Sequence, residues 1–84
     1  MNAIPQIDAG EADAKAREAA HEELALTEHY CRCARLHLQV ADDPVTILDL
    51  LSARRHFAAA LRAFSPIKET IARGATLTKS EVPE

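Results

Sequence analysis

Tryptophan is absent from this 84-residue chain, and Phe57, Phe64 and Tyr30 are its only aromatic residues. A core built around stacked rings is therefore excluded. Apolar residues reach 48% of the composition, but largely through Ala, and apolar burial stabilises by only roughly 25 cal/mol per Å². The core should be thin. Two Gly and four Pro, the prolines falling near apparent element ends or in the tails, exclude a turn-rich β fold. No Lys or Arg precedes Lys15, no early apolar run resembles a signal peptide, and no stretch approaches the roughly 18 consecutive apolar residues of a membrane span. The expectation is a cytoplasmic protein with no membrane partner, in which Cys31 and Cys33 are reduced thiols. Excess positive charge is missing too. A net charge of −3 disfavours nucleic acid as the main partner, because gripping a phosphate backbone needs a basic face.

What is present is helical periodicity. Alternating steps of three and four connect Leu50, Ala53, Phe57, Ala60, Phe64, Ile67 and Ile71 without a polar interruption, the pattern of a helix that buries one stripe against another. Upstream, two neighbouring rows run side by side. One passes through Ala19, Glu23, Leu26, Tyr30, Cys33, His37 and Val40, and the other through Ala20, Leu24, Thr27, Cys31, Ala34, Leu38 and Ala41. Together they form a wide apolar stripe, and the many Ala between Ala12 and Ala25 favour helix by intrinsic propensity.

The chain is thus expected to be all-α, an antiparallel two-helix hairpin spanning about 10–40 and 44–73. Residues 1–9 read as a flexible arm and 75–84 as a disordered tail. Asp43 before Pro44 is the expected N-cap of the second helix. Pro66 deletes one helical hydrogen bond and crowds a carbonyl, so the helix should kink or restart there, and Gly74 should close it. In such a register Glu23, lying inside the first stripe, would face Arg62 or Arg54, or else sit at a wet edge.

A hairpin with two wide stripes leaves apolar surface uncovered. The economical remedy is a homodimer forming a four-helix bundle, through Leu26 and Tyr30 of the first helix and Leu50, Ala53, Phe57, Ala60, Leu61, Phe64, Ile67 and Ile71 of the second. A heteromeric partner laying an amphipathic helix into the groove would serve equally.

Chemistry-bearing patterns are sparse. His29, Cys33 and His37 stand at successive steps of four, where neighbouring side chains could clamp a metal. No fourth ligand cluster accompanies them, and Cys33 and His37 coincide with packing positions, so the structural reading is preferred and no metal or cofactor is assigned. Cys31 and Cys33 point roughly 200° apart on a helix and cannot pair; both read as small core residues. Glu18 and His21 have the spacing of a di-iron motif without the facing carboxylates it needs. No catalytic constellation or Gly-rich phosphate loop is visible, so the chain is not expected to be an enzyme. Arg54, Arg55 and Arg62 make the one positive patch, suited to an acidic protein before a nucleic acid.

By architecture alone the chain resembles small bacterial two-helix adaptors, among them co-chaperones, anti-activators and phage-encoded inhibitors, a fold-level analogy. The expected function is accordingly a non-enzymatic interaction module that binds and modulates another protein. A metal-binding bundle through His29, Cys33 and His37 is one alternative, and a nucleic-acid-associated regulator using Arg54, Arg55 and Arg62 is another.

Overall fold

Three helices make up the computed structural model, which describes the backbone of residues 4–81 and the side chains of residues 10–74. They are α1 (Ile4–Gln39), α2 (Asp43–Ala63) and α3 (Ser65–Glu81). The expected two-helix chain is therefore corrected to three. Several boundaries move as well. The first helix begins at Ile4 instead of near Gly10, because Pro5 falls in its first turn, where a missing N–H interrupts nothing. The last helix continues through Gly74 to Glu81, and no described glycine adopts a positive φ, so Gly74 does not act as a helix stop. Residues 1–3 of the expected arm and 82–84 of the expected tail lie outside the described residues.

The first connection is closed by backbone chemistry. Ala41 takes a left-handed φ of 59°, its N–H donates to Leu38 O at 3.1 Å, and the next N–H, of Asp42, donates to His37 O at 2.9 Å. This is a Schellman termination with Ala where Gly is usual. Asp42, not Asp43, is the N-cap of α2. Its carboxylate accepts from the Val45 N–H at 3.4 Å, and its carbonyl accepts from both the N–H and the hydroxyl of Thr46 at 2.9 Å. The correction has a simple cause. The Schellman turn ends at Asp42, whose carbonyl already belongs to the α2 ladder, so the steric preference that Pro44 imposes on Asp43 is overridden. Asp43 remains in the first turn, where its charge favours the positive end of the helix dipole.

The second connection is tighter. Phe64 (φ −87°, ψ 0°) ends α2 by donating to Ala60 O, and its carbonyl accepts from the N–H groups of both Ile67 and Lys68. Pro66 forbids an uninterrupted helix, and the chain restarts at once from Ser65.

Packing follows from side-chain size. α2 folds back along α1, with His37 meeting Asp49, Tyr30 stacking on His56, and Ala20 lining a common groove with Ala60. The buried residues are Ala16, Ala20 and Ala34 of α1, Thr46, Ala53 and Ala60 of α2, and Ile67 of α3. Small side chains let the two backbones approach closely, but they remove little apolar area from water. Beyond Ile67 every described side chain of α3 is exposed. The result is flat. The principal extents are 57 × 39 × 13 Å, and the short one is close to the roughly 10–12 Å diameter of a single helix. The radius of gyration of 18.7 Å far exceeds the approximately 12 Å of a compact domain of this length.

The apolar seam read from the sequence splits in two. Ala53, Ala60 and Ile67, each seven residues apart, are 6%, 5% and 5% exposed, whereas Leu50, Phe57, Phe64 and Ile71, also seven apart, are 52%, 50%, 37% and 60% exposed. The small row meets α1 and the large row faces solvent. The wide stripe of α1 divides likewise, since Ala20 and Ala34 are buried while Leu24, Leu26, Leu38 and Val40 are exposed.

Candidate interaction surface

A single layer of helices has two broad faces, and here they differ in chemistry. On one, α1 and α2 form an apolar trough. Its centre is a hollow of about 420 Å³ between Ala20 and Leu24 of α1 and Phe57, Ala60, Leu61 and Phe64 of α2, with Arg17 and His21 at the edge. Phe57 and Leu24 carry it into a second hollow bordered by Thr27, Glu28, Cys31, Arg32 and Arg35. Leu61 and Phe64 carry it the other way, towards Arg62, Ser65, Lys68 and Ile71. Leu50 extends the same row towards the turn, one heptad before Phe57. Ala supplies the floor, so the large side chains on either side stand clear of it instead of meeting across it.

The rim of this trough is basic. Arg17, Arg32, Arg35, Arg62 and Lys68 border the three hollows, and Glu28 is the acid that joins them. These cations gather around apolar surface in a chain whose net charge is −3.

The other face carries the polar contacts between the two helices. His37 Nδ1–H donates to Asp49 Oδ2 at 2.6 Å, and His56 Nδ1–H donates to Glu23 Oε1 at 2.7 Å. Both bonds join α1 to α2. Tyr30 stacks on His56 with centroids 5.5 Å apart and planes 2° from parallel, and the ring of His29 meets Tyr30 edge-on at 5.0 Å. Glu23 is thus matched by His56, not by Arg62 or Arg54 as expected. The residue that sequence reasoning missed is His56, which follows directly on Arg54 and Arg55 of the expected positive patch. Its signal was positional, because it falls on the side of α2 that turns towards Glu23.

Other expected sites are dispersed. Of the row His29, Cys33 and His37, the first two touch, with Cys33 Sγ 3.6 Å from His29 Nε2, while His37 is engaged by Asp49. Among the described residues no group of three or more His, Cys, Asp or Glu side chains gathers where it could hold a metal ion. Cys31 is exposed at the trough and Cys33 half-buried, both as free thiols, so neither is the core residue expected. Arg54, Arg55 and Arg62 are all exposed; Arg62 borders the trough, and Arg55 rests on the Ser52 hydroxyl at 3.5 Å. Tyr30 is half-buried between the helices, whereas Leu26 and Leu61 are exposed. No described helix is long and apolar enough to cross a membrane. Comparison of the chain with family models, with curated proteins and with solved structures finds no match.

Proposed function

We propose that this protein is a non-enzymatic interaction module that works in complex with another polypeptide, using the apolar trough as its binding surface. The observation that carries this reading is the exposed heptad row Leu50, Phe57, Phe64 and Ile71 beside a core made almost entirely of Ala. Surface area supports it. The chain exposes 6631 Å², against about 4,900 Å² for a compact monomer of 9.2 kDa. The excess of about 1,700 Å² is roughly twice what one partner contributes to a standard stable interface.

A second copy is the simplest occupant. Two chains stacked through their troughs form a four-helix layer in which the large rows interdigitate over the Ala floors. Light scattering on the purified protein tests this. A mass twice that of the chain at micromolar concentration is expected, and a stably folded monomer would sink the dimer.

The basic rim favours a further reading, that a different protein competes for the trough with an amphipathic helix flanked by acidic residues. Salt separates the two occupants. Stacking two basic rims is opposed by like-charge repulsion, so self-association strengthens as salt screens it. An acidic partner loses affinity under the same change. Binding and modulation of such a partner, in the manner of an adaptor or inhibitor, is the function that this surface serves.

A further inference from the structure

We propose that two copies of this chain meet trough to trough in one orientation, α1 antiparallel to α1 and α2 antiparallel to α2, with charge pairs between the subunits setting the register. This orientation presupposes the trough as a self-association surface, the reading proposed above. A second copy fits by area, because the exposed surface in excess of a compact monomer is more than the roughly 800 Å² that each partner gives to a standard interface. Symmetry leaves two choices. Stacking two identical faces requires a two-fold axis in the plane of contact, running either across the helices or along them.

Charge selects the axis across the helices. On α1, Arg17, Glu28 and Arg32 border the trough, and Asp13 stands one turn before Arg17 on the same side. An axis at the level of residues 22–23 brings Arg17 of each copy over Glu28 of the partner subunit and Asp13 over the partner's Arg32, because both pairs share that midpoint. Acid meets base at both contacts. The other axis would lay α1 on α2 and set Arg17 over the partner's Arg62, two cations from the same end of the trough.

Packing on α2 leads to the same level. Glu23 bonds His56, and Ala20 shares the central hollow with Ala60, so Phe57 stands level with residues 22–23 of α1. The axis therefore passes Phe57, which borders both the central and the second hollow. Phe57 meets the partner's Phe57. Leu50 and Phe64, exposed and each seven residues from Phe57, then fall one over the other across the interface. The register set by charge on α1 and the register set by large side chains on α2 are thus the same register. Arg62 gains no acid opposite, falling at the level of the partner's Ser52, so repulsion between the rims is reduced and not removed.

Reciprocal charge reversal, read by sedimentation equilibrium of the full chain at one fixed ionic strength, tests the orientation. The unaltered chain is expected to dimerise. Arg17→Glu sets two acids together at each of two symmetric contacts and Glu28→Arg sets two cations together, so each variant alone should weaken dimerisation by about tenfold or more. An equimolar mixture of the two variants should recover affinity to within about threefold of the unaltered chain, since every Glu then meets an Arg. The double variant should recover likewise. Positions 17 and 28 are about 16 Å apart along one helix, so neither recovery can arise within a chain. Both side chains are exposed, and helicity by circular dichroism accompanies each variant. Asp13→Arg with Arg32→Asp repeats the test at the other contact. A dimer that neither single variant weakens, or a mixture no tighter than its components, overturns the orientation and leaves self-association standing. A monomeric unaltered chain overturns both, and leaves the trough to an acidic helix of another protein.

Discussion

The two faces of this flat molecule are built from the same two helices, yet one finishes its chemistry within the chain and the other does not. On the polar face, Glu23 meets His56 and His37 meets Asp49 at hydrogen-bonding distance. Among the described residues no buried side-chain nitrogen or oxygen lacks a partner. On the trough face, Leu24, Phe57, Leu61 and Phe64 stand exposed around an Ala floor. The difference shows that the α1–α2 contact orients the helices while contributing little apolar burial. Much of the apolar surface left uncovered by that contact lines the trough.

The comparison can be broken most severely on the trough. Phe57→Asp places a charge in the middle of the apolar row and should destabilise the proposed assembly by about 3 kcal/mol or more, the scale of emptying a buried aromatic site. Light scattering should report monomers, with loss of helicity if the chain cannot stand alone. A variant that keeps its mass and helicity would show that the trough is not an interface.

Next in size is the floor. Ala60→Leu at the buried α1–α2 contact forces the two helices apart and should cost about 1–3 kcal/mol, read as a lowered thermal midpoint. Leu61→Ala, one residue on but exposed, should leave intrachain packing alone and weaken only association. Equal thermal losses in the two variants at a concentration where the chain is monomeric would contradict the split seam.

The polar face should respond less. Asp49→Asn removes the charge opposite His37 and should cost about 1 kcal/mol or less, because the pair is partly solvated. Denaturant unfolding measures it, and a loss as large as that of Phe57→Asp would invert the ranking of the faces. The smallest expected effect is a gain. Ala41→Gly relieves a left-handed residue at the turn and should stabilise by roughly 0.5–1 kcal/mol, net of the extra freedom of Gly in the unfolded chain.

Particular residues explain how far the sequence could be read. The steps of three and four from Leu50 to Ile71 marked α2 and the start of α3 as helix, and Pro66 marked the break between them, because both are local consequences of backbone geometry. Pro5 and Gly74 misled for a related reason. Each has a helix-terminating role only in certain positions, and here one lies in a first turn and the other within a helix that runs on. His56 was overlooked because its partner, Glu23, is more than thirty residues away, and no local signal joins them.

By itself, then, the sequence determined the all-helical character, the turn before Pro44, the interruption at Pro66 and the existence of more apolar surface than two helices can hide. Only the tertiary structure decided which residues do the hiding. A stripe with alternating steps of three and four contains two heptad rows, and a modest rotation of the helix exchanges the one facing inward. With Ala on one row and Leu and Phe on the other, α1 and α2 pack at close range through Ala53 and Ala60, and the same close approach leaves Leu50, Phe57 and Phe64 facing outward.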